Sequence, residues 1–564
     1  MAVSIEKWMP GLEAIRTYRR EWFGSDLVAG VSVAAVAVPI GIAYAELASF
    51  PAVVGIYSCI LPLIAYALFG SSRQLIVNPD AAACAMLASV VMPLAAGNPE
   101  RYMDLTIILT MMTGVLCIAG GIAGFGIIAN FLSRPILTGY LNGIALSIIV
   151  GQLGKLLGYK VPSGGFFRTL FIVISRLGET HLLTMIIGVS LFVLLRLLKY
   201  LVPKVPAPLI AVVLGISAVY FLGLGSQGVS MVGSVPSGFP VPRIPAVSGD
   251  EIIPLLMGAA GIVLVSFCSM MTTARGFAAR NGYPINANQD MVALGACDLA
   301  SALTRGFVVS GADSRTAVAD SSGGKSQMTG IVACAAIAAV LLFFTAPLQY
   351  LPTAALAAIL MSSAIGLFDI ASVRRFYQMS RPEFRQSLIA TFGVMTIGVL
   401  PGVLIAVALA MINLLRDATQ PHEAIYGLVL DEGEFRPETE GEDAKTIPGL
   451  LVYRFESSLL FFNADHFVER VRTHIGSHPK PKWFIFNAES VPLLDITGAD
   501  AIETLYSEMK DQGIVMAISR PKGLFQITLD RSGLAEKIGS DRIFDTTHAG
   551  AYAYLAAQNM PSNF

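Results

Sequence analysis

Residues 67–96 read ALFGSSRQLIVNPDAAACAMLASVVMPLAA, and residues 301–321 read SALTRGFVVSGADSRTAVADS. A membrane-spanning helix needs about 20 apolar residues in a row. Neither stretch supplies them cleanly: the segment at 79–96 opens with a proline, and the one at 312–321 is too short to cross a bilayer alone. The break in the first falls at Asn78-Pro79-Asp80, and in the second at Ser310-Gly311-Ala312-Asp313.

Outward from these breaks the chain is a series of apolar segments. Before the first lie 26–47 and 51–70; after it come 104–124, 134–154, 182–201 and 205–223. A polar stretch follows, then 252–274 and 289–304, the second break, and 327–346, 353–370, 386–400 and 402–415. About fourteen segments result, and each broken one is third in a run of seven. A short or Pro/Gly-interrupted segment at matching places in two halves is the mark of an inverted repeat whose half-helices meet near the midplane. Two facing helix N-termini present partial positive charge and free N–H groups, a cradle for negative charge. Two kinked helices packed together are the plainer reading of the same pattern.

Composition agrees with a membrane domain. Of 564 residues, 54% are apolar and only 14% charged, where soluble domains run near a quarter charged. The deficit lies before Arg416; from Asp417 onward the composition is that of a soluble domain. A net charge of −1 gives no reason to expect a nucleic-acid partner. Cys59, Cys84, Cys117, Cys268, Cys297 and Cys334 all sit in apolar segments without CxxC spacing, so neither a disulfide framework nor a metal site is expected. The first twenty-odd residues are polar and basic, unlike a cleavable signal peptide.

Positive charge sets the expected orientation. Arg16, Arg19 and Arg20 precede the first span, which places the N-terminus in the cytoplasm. Alternating sides then puts Arg196, Lys199, Lys204, Arg275, Arg280, Lys325, Arg374, Arg375, Arg381, Arg385 and Arg416 there too. An even number of crossings returns the C-terminal domain to the same side, in a multi-pass protein of the cell membrane. That domain reads as α/β: strands at Leu450 to Phe455, Ser458 to Phe462, Trp483 to Asn487 and Ile514 to Ser519 alternate with helices near 464–475, 498–511 and 521–532. The expected boundaries are a cytoplasmic segment 1–24, a transmembrane domain 25–416 (repeats 25–225 and 251–416), an acidic linker 417–446 and a terminal domain 447–560.

Several stretches carry a resemblance: VPIGIAYAELASFPAVVGIYS from Val38, ALFGSSRQLIVNP from Ala67, FLSRPILTGYLNGIALSIIVGQLGKLLG from Phe131, ARGFAARNGYPINANQDMVALGACDLAS from Ala274 and VVSGADSRTAV from Val308. Together with VYRFESSLLFFNADHF and LLDITGADAI in the tail, they identify the chain as resembling the sulfate permease (SulP) family, solute carrier family 26 in animals, with its C-terminal STAS domain. The resemblance implies an all-α membrane domain of seven-plus-seven inverted repeats, a mobile core moving elevator-fashion against a gate, a homodimer, and a small anion as substrate. Carried over by position, it implies a pocket lined by Ile40, Tyr44, Asp80, Ala81, Ala82, Ser269, Ala312, Asp313, Ser314 and Arg315. Many relatives have Gln at the place of Ile40 and a carboxylate at that of Ser269; Asp80 and Asp313 stand where small or apolar residues are common.

Two readings of Asp80 and Asp313 stand side by side. Either they cap half-helices, or at least one binds a proton in the pocket, since an ionised carboxylate repels an anion. Arg315 is the candidate cation, able to fork onto an oxyanion, or else a charge that faces the cytoplasmic vestibule or pairs with Asp313 or Asp320. Asp104, Asp298 and Arg305 read as solvated segment ends. Thr497, in Asp495-Ile496-Thr497-Gly498, is either a regulatory switch or part of a helix cap. The expected function is proton-coupled uptake of an anion, sulfate first, with bicarbonate, dicarboxylate or halide behind it. An uncoupled anion channel and a nucleobase permease are the rivals. No cofactor is expected, the STAS tail is the place for a cytoplasmic regulator, and no P-loop, HExxH or suitably placed GxSxG suggests an enzyme.

Overall fold

The computed structural model describes residues 9–11, 16–130, 133–161, 165–202, 206–243, 245–429, 434–438, 444–477 and 481–558. It divides into two units, Met1–Leu409 and Ala410–Phe564.

The first half of the first unit contains α1 (Phe23–Leu47), α2 (Ala52–Tyr57), α3 (Leu61–Phe69), the two-residue strand β1 (Val77–Asn78), α4 (Ala81–Ala95), α5 (Pro99–Ile122), α6 (Arg134–Leu157), α7 (Phe166–Ser175), α8 (Leu182–Leu201) and α9 (Ala207–Leu222). The second half contains α10 (Gly249–Asn281), α11 (Ala287–Leu303), β2 (Ser310–Gly311), α12 (Asp313–Ser321), α13 (Met328–Phe343), α14 (Thr353–Leu367), α15 (Ile370–Met379), α16 (Arg381–Ile397) and α17 (Val399–Thr419). In each half a short helix follows a two-residue strand, as the breaks at Pro79 and Gly311 anticipate.

Among the described residues, seven helical stretches are long and apolar enough to cross a membrane. The pattern of exposure on α8 says which surface meets lipid. Thr184, Gly188, Leu191 and Leu195 are buried, while Leu182, Ile186, Val189, Val193 and Leu197 are exposed. Both sets recur every three to four residues, so one stripe packs inward and an equally apolar stripe faces out. Lipid is the solvent that makes such an outer stripe costless. Where helices cross closely, small residues allow it: a Cβ on Gly295 of α11 would lie 2.4 Å from the Gly114 carbonyl of α5.

Two helices depart from the expected pattern. α7 and α15 are short and amphipathic: Phe167, Phe171 and Ile174 of α7, and Ile370, Tyr377 and Met379 of α15, are exposed. The expected span 51–70 is split at Ser58–Ile60 into α2 and α3.

The second unit, which begins within α17, holds a seven-stranded sheet. Its strands are β3 (Glu423–Val429), β4 (Glu434–Pro437), β5 (Ala444–Lys445), β6 (Leu450–Phe455), β7 (Trp483–Asn487), β8 (Val515–Ser519) and β9 (Ile543–Phe544). The order is β4-β3-β6-β7-β8-β9, with β5 paired to β3; β6 to β9 run parallel and β3 runs antiparallel to β6. The helices are α18 (Ala464–Ser477), α19 (Ile496–Asp511), α20 (Gly523–Arg531), α21 (Leu534–Ile538) and α22 (Thr547–Ala557). Alternation along β7 builds both cores. Phe484 and Phe486 join Phe467 and Phe525 on one face, while Ile485 joins Ala517 and Tyr554 on the other.

The sheet corrects two expectations. The acidic stretch 417–446 is no simple linker, because β3 lies inside it and is buried from Ile425 to Val429 by pairing with β6. Ser458 to Phe462 is not a strand: Leu459 makes a single bridge to Leu494, and Phe461 and Phe462 are exposed.

Candidate functional site

β1 and β2 pair antiparallel, Val77 opposite Gly311 and Asn78 opposite Ser310. Four residues are enough to cross two chains inside the bundle, and all four are buried there. The crossing is held from behind by α10: Ser310 Oγ donates to the Ser266 carbonyl at 3.0 Å, and a Cβ on Gly311 would meet Met270 at 2.7 Å. Only glycine lets the strand lie so close. From this crossing α4 and α12 set out, so the N-termini of both half-helices arise at one place.

The residue chemistry at the two mouths differs. Asp80 is the N-cap of α4, its carboxylate accepting from the Ala82 N–H at 3.1 Å. The capping reading therefore describes Asp80. Ala81 and Ala82 are buried in the first turn of α4. On α12 the N-cap position is Ala312, which has no side-chain acceptor, so the first-turn N–H groups are left for something else. Asp313 and Ser314 are exposed, and the Asp313 carboxylate accepts a hydrogen bond from the Thr273 hydroxyl of α10.

Arg315 ties the two mouths together. Its side chain is only 2% exposed, its Nη2 donates to the Pro79 carbonyl, and its guanidinium carbon lies 5.9 Å from the Tyr44 ring centroid. Its Nε is buried with no partner among the described residues. The alternative, an ion pair with Asp313 or Asp320, is absent among the described residues; Asp320 instead takes Arg280 at 3.3 Å. A buried cation that meets a carbonyl and an aromatic face, and no carboxylate, keeps its charge available to a ligand.

Ile40 and Tyr44 are buried one turn apart on α1. Ser269 is half-buried on α10, and the residue of that helix that reaches Asp313 is Thr273, one turn beyond. Thr273 was not singled out in the sequence; its spacing of four from Ser269 is the signal that points to it. Asp298 needs correction. It is fully buried on α11 and accepts from the Val309 N–H at 2.9 Å, just ahead of β2, so it is not a solvated segment end.

A cavity of about 960 Å³ reaches Asp313. Its walls include Arg134, Leu137 and Leu141 of α6, Arg375 of α15, Glu383 of α16, and Asp313 and Thr272. A second cavity of about 370 Å³ shares Asp313 with Thr272, Thr273 and Arg280. Both are bounded by the start of α6 or the later turns of α10. In the second unit Asp495 caps α19, accepting from the Gly498 N–H at 2.8 Å, and Thr497 is exposed beside it.

Comparison with known proteins places both regions. The sulfate permease family matches residues 23–391, and the STAS domain matches residues 443–550. A probable sulfate transporter of Mycobacterium tuberculosis (strain CDC 1551 / Oshkosh) is 39% identical over 97% of this chain and 98% of its own length. Sulfate transporter 4.1, chloroplastic, of Arabidopsis thaliana is 28% identical over 96% of this chain and 82% of its own. Among solved structures, the murine solute carrier 26 family member A9 anion transporter in its inward-facing state has a TM-score of 0.92 at 22% identity, over 99% of this chain and 95% of that one. The transmembrane domain of a cyanobacterial bicarbonate transporter, BicA, has a TM-score of 0.62 at 22% identity, over 70% of this chain and 98% of that one.

Proposed function

The chain belongs to the sulfate permease family, and from that premise we propose that it is a secondary active transporter of small anions, sulfate first, that holds its substrate between the N-termini of α4 and α12. The observation that carries this reading is the pairing of β1 and β2, which brings two helix N-termini and the buried Arg315 together beside Asp313, a residue that lines an open cavity. First-turn N–H groups, helix dipoles and one guanidinium all favour negative charge.

Asp313 is the group that couples transport to protons in this account. It has no capping duty, faces the cavity and stands at the anion's entrance. Ionised, it repels an incoming anion; protonated, it does not. Asp80, committed to its cap, contributes less. The walls of the cavity belong to different helix groups, so alternating access follows if α1–α5 and α10–α13 slide as a body past the rest, in a homodimer of the cell membrane with both termini in the cytoplasm. The exposed Thr497 and the sheet domain around it are the place for a cytoplasmic regulator. The names of the relatives support sulfate as the first anion to try, with bicarbonate and dicarboxylates next.

The test is reconstitution in vesicles at two pH values, with labelled sulfate and a competing panel of bicarbonate, dicarboxylates, halides and a nucleobase. Accumulation of sulfate above its external concentration, driven by an inward proton gradient, is the expected result. Equilibration without accumulation would make the protein a channel, and competition by the nucleobase alone would move it to another substrate class.

A further inference from the structure

The helices of the first unit pack as two groups. α6, α8, α9, α14 and α16 pack on one another, and α1 to α5 pack with α10 to α13. The groups meet chiefly where α1 touches α9 and α14 and where α4 touches α6. At one end of α6 they are apart: Arg134, in its first turn, lines the 960 Å³ cavity. Lys155 stands in the last turn of the same helix, about 30 Å further along at 1.5 Å per residue. That is the thickness of a bilayer core.

There Lys155 Nζ lies 2.9 Å from Oε1 of Glu46, the penultimate residue of α1. This ion pair therefore bridges the two groups on the face opposite the cavity. Two polar atoms beside the seam are unmatched. Glu46 Oε2 is buried without a partner among the described residues, and so is Oε1 of Gln152, one turn before Lys155 and only 3% exposed. A permanently shut seam would leave these atoms costly for no return; a seam that periodically admits water hydrates both.

We propose that the Glu46–Lys155 pair closes the anion path on the face opposite the cavity and breaks each time that face opens. The inference rests on the transporter reading above. Its strength suits the task. Side chains 30% and 23% exposed make a pair that biases an equilibrium several-fold rather than locking it, so the transporter can leave the state in which the pair is made. When the groups slide past each other along α6, Glu46 and Lys155 part first, because they are the charged contact spanning the seam at that end.

The experiment uses the full chain with Gln152→Cys, reconstituted in vesicles. All six native cysteines are buried, which keeps background labelling low. A membrane-impermeant maleimide is applied to each face in turn. Adding Glu46→Gln is expected to raise labelling of the Gln152→Cys site from the Glu46 face about three- to ten-fold. Exchanging the charges with Glu46→Lys and Lys155→Glu is expected to return it to the starting rate. A parallel Ser372→Cys site, lining the cavity, reports correct folding and is expected to label more slowly from its own face when Glu46→Gln is present. Unchanged labelling at position 152 in a protein that still labels at position 372, or failure of the exchanged pair to restore the rate, overturns the proposal. Sulfate flux in the same vesicles is read separately. Shifting labels without flux sinks the transporter reading and leaves the closure; flux with unshifted labels sinks the closure alone.

Discussion

Replacing Arg315 with Gln removes the positive charge that α12 brings to the crossing and, with a side chain two bonds shorter, the donation to the Pro79 carbonyl. The guanidinium is 2% exposed and held at the Pro79 carbonyl. For an anion at the half-helix mouths about 7 Å from it, at an effective dielectric of about 20, each unit of negative charge interacts with the cation by about 2.4 kcal/mol. Loss of that interaction weakens binding of a monovalent anion by about 50-fold and of divalent sulfate by far more. The ratio is the diagnostic part, because a merely structural role for Arg315 weakens all anions alike. Arg315→Lys keeps the charge and loses only the fork, and is expected to cost about tenfold or less. The assay is equilibrium binding of sulfate and of a halide to purified protein, with thermal melting as the control for folding. Sulfate affinity within two-fold of the native value in a well-folded Arg315→Gln protein would refute the placement of the anion.

Other consequences are as specific. Uptake rises as pH falls while Asp313 takes up a proton, and Asp313→Asn is expected to flatten that profile, with Asp80→Asn changing it less; unchanged pH dependence in both variants rejects proton binding at the mouths. In the α/β unit, burial pushes the Glu423 carboxyl up, but donors from Tyr453 at 2.5 Å, Arg470 at 2.5 Å and His474 at 3.1 Å outweigh it and hold the group below its usual range. Because the folded state binds this proton less readily than the unfolded one, the stabilisation is present above the ordinary carboxylate range and disappears as pH falls through the depressed folded value. Glu423→Gln is expected to cost about 1–2 kcal/mol at neutral pH and little under strong acid, read by hydrogen exchange at β3. Gly295→Val forces a side chain against the Gly114 carbonyl and is expected to cost about 1–3 kcal/mol, whereas Gly151→Ala, with open space around it, is neutral in the same melting assay.

Much of the membrane unit was legible because spanning helices announce themselves by length and apolarity. The half-helices were legible for the opposite reason: Pro79 and Gly311 interrupt segments that otherwise promise to cross. Periodicity failed where burial is one-sided. α7 and α15 are each ten residues long, too short to cross alone, and each is buried on one side only. β3 hides in an acidic stretch because only Ile425 to Val429 need be buried, and their partner strand lies some twenty residues on. At the site, the sequence could place Asp80, Asp313 and Arg315 at two breaks. It could not show that one aspartate caps its own helix while the other meets Thr273, since that depends on α10 crossing behind β2. Asp298 looked like a segment end because the chain turns soon afterwards; the turn folds back over it and buries it. The Glu46–Lys155 pair joins residues more than a hundred positions apart, and nothing local marks either one.

The location of the anion itself decides the account. Crystals or grids of the full chain prepared with selenate in place of sulfate would reveal it through anomalous scattering or density. A single peak within hydrogen-bonding reach of the first-turn N–H groups of α4 and α12 and near Arg315 is the predicted result. A peak along Arg134 and Arg375 at the cavity rim, with the half-helix mouths empty at saturating selenate, would contradict it.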